Sequence, residues 1–158
     1  MDWNLPRALG AAVVCLMLSA GAASAQALHI DYAEVLSSGY SGAGQPVAPG
    51  PIRRKITHTP VRAVAIGTRF EMKVRTVGRP EGADVALRFV WRGPRPGIKD
   101  PKTGKFSREI AEEVPSRIGA EVERSFEFKD QAQIVRGTWR AEVWNGLRRL
   151  AMRRFAVQ

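Results

Sequence analysis

The chain has 158 residues and a formal charge of +10, from 25 lysines and arginines against 15 aspartates and glutamates. Its single cysteine excludes an internal disulfide, so a domain of this size must be stabilised by its own hydrophobic core. The charge favours acidic partners: anionic polysaccharide, anionic lipid head groups or nucleic acid. The alternative is that an arginine-rich, alanine-rich composition reflects a GC-rich genome and has no functional meaning.

The N-terminus has the order of segments that is typical of a secretory signal peptide. A charged start is followed by an apolar run at 9–20 and by the small-residue sequence Ala23-Ser24-Ala25. We therefore expect residues 1–25 to be removed and 26–158 to form one domain. The apolar run is shorter than the roughly 20 residues that span a bilayer, and an uncleaved anchor is the alternative. No second apolar run follows, so we expect no membrane span after cleavage and a periplasmic or secreted location.

The first part of the mature chain contains weak strand patterns around a long loop. Residues 28–35 alternate imperfectly and predict an opening strand, and residues 53–58 predict a second short one. Between them, residues 37–51 include four glycines and three prolines, which exclude a long helix or a central strand. We therefore expect a Gly/Pro-rich loop over 37–51.

From Thr68 onward the alternation of apolar and charged residues becomes regular. This period of two predicts strands that have one wet face, and a turn at 78–82 and a loop at 93–104 separate some of them. The strands with this pattern are at residues 68–75, 85–91 and 121–128. Residues 107–118 are ambiguous, because Pro115 ends any helix there, and they predict either a short helical turn or an irregular strand.

The chain ends in a predicted β-hairpin. Asn145-Gly146 between two apolar-patterned runs is the strongest short hairpin signal, because a type I′ turn needs positive φ at both positions. A two-residue turn there places Trp144 opposite Leu147. Phe155 and Val157 then point away from the core, so we predict a bulge between Met152 and Phe155 that corrects them.

About seven short strands and no long helix predict an all-β fold, an immunoglobulin-like β-sandwich that ends in the Asn-Gly hairpin. The inward positions of the strands give the expected core. These positions are Phe70, Met72, Val74, Val85, Leu87, Phe89, Trp91, Phe126, Phe128, Trp139, Val143 and Leu150.

Several short motifs resemble an uncharacterised bacterial family of exported single-domain proteins, a domain of unknown function. They are Gly67-Thr68-Arg69-Phe70, Val77-Gly78, the Gly-Thr-Trp and Val-Trp-Asn-Gly elements within 137–146, Phe155-Ala156-Val157 and Ser38-Gly39-Tyr40. The resemblance extends from about residue 32 to 157, and its motifs are turns and core aromatics. It implies a secreted, immunoglobulin-like module and implies no chemistry.

The sequence contains no convincing catalytic or metal-binding motif. Residues 39–43 nearly spell Gly-x-Ser-x-Gly but end in alanine, and the prolines that follow exclude the helix that a nucleophile elbow needs. His29 and His58 are the only histidines, and without a mature cysteine they make a poor metal-ligand set. We therefore expect no enzyme, no cofactor and no metal.

An acidic group at 109–113 is better explained as a solvated face than as a catalytic pair. Glu109 and Glu113 are expected to share a face only if this segment is a helix. The segment offers no sign of a cleft that would raise a carboxyl pKa.

Basic residues are concentrated at 53–55 and on the last strand. We expect Arg140, Trp144, Arg149 and Arg153 to share one exposed sheet face, where arginines beside an aromatic ring could bind a polyanion such as lipopolysaccharide or an acidic polysaccharide. The alternative is a wet sheet face whose arginines pair with Glu142 and its neighbours.

The export signal, the strand pattern and the lack of a catalytic constellation together predict a non-enzymatic interaction or scaffold module of the bacterial envelope. Its expected partner is another envelope protein or an anionic envelope polymer. Nucleic acid is not an expected partner.

Overall fold

The structure is a computed structural model that describes residues 27–42, 58–62, 64–100 and 102–158. The predicted signal segment, most of the Gly/Pro-rich loop and the basic run at 53–55 lie outside these residues. The described strands are β1 (His29–Ser41), β2 (His58–Val61), β3 (Arg69–Arg79), β4 (Asp84–Arg92), β5 (Ile98–Lys99), β6 (Phe106–Ser107), β7 (Glu109–Arg117), β8 (Glu121–Glu127), β9 (Gly137–Asn145) and β10 (Arg148–Val157), with one 3₁₀ turn at Gln131–Gln133.

The strands form two main sheets and a small ribbon. The first sheet has the order β1-β3-β8, the second has the order β2-β10-β9-β4-β7, and the ribbon pairs β5 with β6. All pairings are antiparallel except that of β2 with β10. The prediction of an all-β sandwich is confirmed. The described residues contain no helix with the length and hydropathy that crossing a bilayer requires.

Aromatic rings join the two sheets at the centre of the molecule. Phe70 of the first sheet stacks on Phe155 of the second, with ring centroids 4.5 Å apart and planes 5° from parallel. Trp139 of the second sheet meets Phe70 edge-on at 5.8 Å and Phe128 at 5.0 Å. The Trp139 indole N–H donates to the Val135 carbonyl at 2.8 Å, so the buried ring leaves no polar atom unpaired. Aromatic pairs of this geometry stabilise a fold by about 0.5–1.5 kcal/mol beyond the burial of their area.

The predicted core is confirmed. Eleven of the twelve expected residues are buried, and the twelfth, Leu150, is half-buried at the margin of the same cluster. Period-two alternation therefore located the inner faces of β3, β4, β8 and β9.

Two arginines bridge the sheets, one along each side of the sandwich. Arg124 on β8 pairs with Glu112 on β7, with Nε 3.1 Å from the carboxylate. On the opposite side, the Arg148 guanidinium donates to the carbonyls of Ile30 and Asp31 at 2.5 and 2.6 Å. These contacts connect β8 to β7 and β1 to β10, and so tie the two sheets together directly.

The first strand is longer than predicted, because residues 37–41 belong to β1 and not to the loop. Tyr40 pairs with Phe70, and the strand continues to Ser41 opposite Arg69. A register shift between Val35 and Ser37 accommodates the irregular sequence. The composition misled here because pairing with β3 holds these residues in a strand although glycine weakens a strand.

Within the ambiguous segment 107–118, β7 (Glu109–Arg117) is a strand, so the interpretation as a strand is confirmed and that as a helical turn is wrong. β7 pairs with β4 over its whole length, with Pro115 opposite Ala86. Since β7 is the edge of its sheet, the missing N–H of proline leaves no partner unsatisfied.

The terminal hairpin turns one position later than predicted. Asn145 pairs with Arg148, and the turn itself is Gly146-Leu147, with Gly146 at φ +53°. Trp144 therefore does not face Leu147 as the Asn-Gly pattern predicted.

A contact with another strand explains this register. The Asn145 side-chain amide donates to the Ala86 carbonyl of β4 at 2.9 Å and holds Asn145 in the sheet. Trp144 consequently pairs with Arg149.

The predicted bulge exists, but it lies nearer to the turn. The register shifts between Arg149 and Ala151, not between Met152 and Phe155. Beyond it, Phe155 pairs with Trp139, and both side chains are fully buried. The extra residue is therefore what turns the end of β10 inward.

The outer face of the three-stranded sheet is lined with paired charges. Arg69 contacts Glu127 through two nitrogens at 2.8 and 2.9 Å, and Lys73 and Arg75 both bind Glu121. Hydrogen bonds from Lys73 and Arg75 hold the pKa of Glu121 below its usual value. The neighbouring Glu71 differs, because partial burial and then the charge of Glu123 raise its pKa.

These opposite shifts predict opposite effects of two matched substitutions. Glu121 stabilises the fold fully above its unfolded pKa of about 4.3, and this contribution is lost as the pH falls through its lower folded pKa. The contribution of Glu71 is present at low pH and is lost as the pH rises through its higher folded pKa. At neutral pH we expect Glu121→Gln to lower the Tm and Glu71→Gln to raise it, and both differences should shrink in acid. Thermal unfolding followed by circular dichroism measures this, and shifts of the same sign at neutral pH would contradict it.

Candidate interaction surface

The candidate surface is the outer face of the five-stranded sheet. Along β9, Trp139, Ala141 and Val143 are buried in the core, so the alternate residues point outward. These are Arg140, Glu142 and Trp144. Since residues paired across neighbouring strands share a face, the register of β4, β7 and β10 identifies their outward residues as well.

Three of the four residues predicted to form one exposed face are on it. Arg140 and Trp144 point outward from β9, and Arg149 pairs with Trp144 from β10. Arg153 is not with them, because it pairs with the buried Ala141. The expectation that Arg153 shares this face is wrong because the bulge comes before it and reverses its side.

Arg153 occupies a partly buried position instead. Its guanidinium donates to the Met152 carbonyl at 3.0 Å, and burial lowers the pKa of Arg153. The outward arginine in this part of β10 is Arg154, which pairs with Arg140. Placing the predicted bulge between Arg149 and Ala151 would have identified Arg154 as the outward arginine from the sequence.

Arg149, Trp144 and Glu142 form a compact cluster. The Arg149 guanidinium carbon lies 5.9 Å from the Trp144 ring centroid, within the range of a cation–π contact. The Trp144 indole N–H donates to Glu142 Oε2 at 3.0 Å, and Arg149 Nη1 lies 3.7 Å from Oε1 of the same carboxylate. The aromatic ring and the cation predicted for this face are therefore together, but the cation already has an acidic partner.

Glu142 is buried although it points outward. Its side chain is only 2% exposed, and it lies between Met152 on β10 and Val90 on β4. Arg92 approaches it from a third side, with Nη2 3.8 Å from Oε2. A buried carboxylate needs compensating charge and hydrogen bonds, and the surrounding cations and indole supply them.

The charge network continues across β4 to β7. Glu109 binds Arg92 at 2.7 Å and Arg88 at 3.0 Å, and Glu113 lies 3.9 Å from Arg88. The expectation that Glu109 and Glu113 share a face only on a helix is wrong, because residues four apart also share a face of a strand. Much of the positive charge on the outer face is therefore neutralised by carboxylates of the same face. This agrees with the alternative interpretation, in which the arginines pair with Glu142 and its neighbours.

One row of this face consists of three adjacent arginines. Arg140 pairs with Arg154 on one side and with Arg92 on the other, so three cations lie next to one another across β4, β9 and β10. Arg92 is bound by Glu109, whereas Arg140 is exposed and has no ion pair within the described part of the chain. Like charges directly opposite are destabilising. The sequence reasoning missed Arg92 and Arg154, which belong to this arginine row.

The described residues hold no cluster of three or more His, Cys, Asp or Glu side chains that could bind a metal ion. His29 lies at the surface, with Nε2 3.1 Å from Asp31 Oδ1. The side chain of His58 lies outside what the structure describes.

Comparison with solved structures relates this architecture to known proteins. The chain is similar to an immunoglobulin-like protein from Pseudomonas aeruginosa, with 27% identity, a TM-score of 0.54, and coverage of 85% of this chain and 99% of that one. The fold is immunoglobulin-like. No protein-family model and no curated protein matches the chain.

Two weaker similarities involve parts of larger enzymes. An alkylpurine DNA glycosylase from Pseudomonas fluorescens, bound to DNA containing an abasic site analog, is 10% identical with a TM-score of 0.43, over 80% of this chain and 30% of that one. A β-D-glucoside glucohydrolase from Trichoderma reesei is 13% identical with a TM-score of 0.35, over 84% and 19%. The immunoglobulin-like chain thus spans under a third of each enzyme, and their activities do not transfer to it.

The buried position of Glu142 predicts a measurable cost of removing its charge. Glu142→Gln should lower the free energy of unfolding by about 1–3 kcal/mol, because Arg92 and Arg149 lose their carboxylate. Trp144 should also become more accessible to an aqueous fluorescence quencher. Glu113→Gln, on the same face but 70% exposed, is the control and should change stability by less than about 0.5 kcal/mol. Equal effects of the two substitutions in urea unfolding would contradict the buried-anchor role.

Proposed function

We propose that this immunoglobulin-like chain is an exported, non-enzymatic interaction module of the bacterial envelope, located in the periplasm or outside the cell. The observation that carries the proposal is the similarity to an immunoglobulin-like bacterial protein over almost the whole of that protein. The signal-like N-terminus supports export. We also propose that the chain belongs to the exported family that its motifs resemble.

An apolar group at the hairpin end of the sandwich supports a protein partner. Leu147, at the tip of the turn, is 99% exposed, and Leu28 and Tyr32 are each 51% exposed. The bonds from Arg148 to the carbonyls of Ile30 and Asp31 bring the hairpin tip next to the start of β1. Leu28, Tyr32 and Leu147 form the apolar tip, which we propose as the contact with another envelope protein.

A photo-crosslinker that replaces Tyr32 tests this contact in the cells that make the protein. We expect one discrete adduct, weakened several-fold by Leu147→Ser and unchanged by Ile66→Ser, a matched exposed apolar residue that precedes β3. The adducted chain should begin at Gln26, since export removes the N-terminal segment. No adduct, or equal loss with both substitutions, would contradict a partner at the apolar tip.

The arginine row favours a second candidate function, the binding of an anionic envelope polymer such as lipopolysaccharide or an acidic polysaccharide. Arginine suits this role because its planar fork binds phosphate or sulfate in a bidentate manner. A phosphate or sulfate group placed over Arg140 would relieve the repulsion between it and its two neighbours. Trp144 and Arg149 lie two outward pairs further along the same face, beyond Glu142 and Met152, and offer a stacking surface.

Replacing Arg140 separates this role from the general effect of charge. Arg140→Ser should weaken retention on immobilised heparin and reduce the slope of log affinity against log salt by about one. Arg117→Ser is the matched control, because Arg117 also points outward from the five-stranded sheet but lies at its far end, 3.0 Å from Asp84. Equal losses of retention in the two variants would exclude the arginine row as the binding site.

A further inference from the structure

A strongly basic projection lies between β4 and β7. Residues 93–108 contain five basic side chains and one acidic residue, a net charge of +4, and three of the six lysines of the chain are here. All five basic residues are exposed, and none forms an ion pair with a described carboxylate. They are Arg95, Lys99, Lys102, Lys105 and Arg108. We call this segment the basic ribbon.

The basic ribbon is anchored at its base. The Ile98 side chain is 2% exposed and belongs to the hydrophobic core, and the Gly93 N–H donates to the Arg108 carbonyl at 3.1 Å. The segment was predicted as a loop over 93–104, but β5 and β6 give it a paired base. Its basic side chains are therefore presented by a defined structure at the end of the sandwich opposite to the apolar tip.

The one acidic residue of the basic ribbon is used within the turn. The Asp100 carboxylate accepts the backbone N–H of Lys102 at 2.8 Å and the hydroxyl of Thr103 at 2.9 Å. These bonds lower the pKa of Asp100. The Asp100 N–H also donates to the Lys105 carbonyl at 2.8 Å, which closes the turn. Asp100 therefore organises the loop that presents the lysines.

An exposed aromatic ring lies among these cations. Phe106 is 56% exposed and pairs directly with Lys99, so the two side chains share a face of the basic ribbon. A lipid interface accommodates this combination, because an aromatic ring rests at the head-group level and a lysine stem keeps its ammonium group near the phosphates. Lysine is a flexible point charge, which suits a fluid array of head groups better than an ordered polymer.

We propose that the basic ribbon docks the protein on an anionic phospholipid bilayer, with Phe106 at the interface and Lys99, Lys102 and Lys105 at the head groups. The inference goes beyond the proposed function, since it uses neither the apolar tip nor the arginine row. Its failure would leave both of those proposals standing.

Vesicle sedimentation tests the docking. The protein should bind vesicles of mixed phosphatidylglycerol and phosphatidylcholine, should not bind phosphatidylcholine alone, and should be released by salt. The double variant Lys102→Ser, Lys105→Ser should reduce partitioning by about 25-fold, from roughly fivefold per charge. The protein is purified as the cells export it, and all variants carry the same N-terminus as the parent.

Matched substitutions at the other end of the molecule are the controls. Arg79→Ser with Arg117→Ser also removes two exposed charges, and Leu147→Ser is the counterpart of Phe106→Ser. We expect the control charge pair and Leu147→Ser to bind like the parent protein, and Phe106→Ser to lose several-fold.

Fluorescence adds a direct readout of insertion. Phe106→Trp should retain binding and shift its emission to the blue on anionic vesicles, whereas Leu147→Trp should not shift. The proposal is overturned by equal losses in the basic ribbon and control variants, by binding to phosphatidylcholine alone, or by an emission of the Phe106→Trp variant that vesicles leave unchanged. Binding to soluble heparin without binding to vesicles would also overturn it.

Discussion

The position of one extra residue in β10 decides what each face of the larger sheet presents. The register shift between Arg149 and Ala151 lets Phe155 turn inward, where it stacks on Phe70 and lies beside Trp139. The inward placement of these rings is worth several kcal/mol of burial, so it dominates the choice of side. The inward position of Phe155 therefore determines which face of the sheet each arginine between the turn and Phe155 points to.

The charges that result are arranged in two different ways. Around Glu142, cations and an indole N–H converge on a buried carboxylate, so most of the outer face is neutralised from within. At Arg140 and in the basic ribbon, cations project without an acidic partner in the described chain. The formal charge of +10 is thus not spread evenly. Arg140 lies in an arginine row on a rigid sheet, whereas the basic ribbon is a lysine-rich turn beside an exposed phenylalanine, so the two sites differ in chemistry.

The sequence predicted the core residues, which follow from local periodicity. It did not predict the hairpin register or the extent of β1, which depend on contacts between distant strands. Alternation identified the core because burial acts on every second residue of a strand. The hairpin register was wrong because Asn145 bonds to Ala86, a residue 59 positions away. Composition marked residues 37–41 as loop, but pairing with β3 makes them strand. Of the four predicted surface residues, Arg153 was assigned to the wrong face. The predicted bulge was misplaced, and a shift of one residue moves a side chain to the opposite face. The basic ribbon went unnoticed because glycine and proline marked it only as a loop.

The bonds from Arg148 to Ile30 and Asp31 have a consequence for how copies of the chain meet. β1 is an edge strand of 13 residues, and an uncovered edge of that length can template pairing with a neighbouring molecule. The guanidinium occupies two of its carbonyl oxygens, and register shifts at both Ile30/Tyr32 and Val35/Ser37 interrupt the regular spacing of the rest. The same side chain that joins the two sheets therefore also shortens the stretch of β1 that offers regularly spaced hydrogen-bonding groups to a neighbouring molecule.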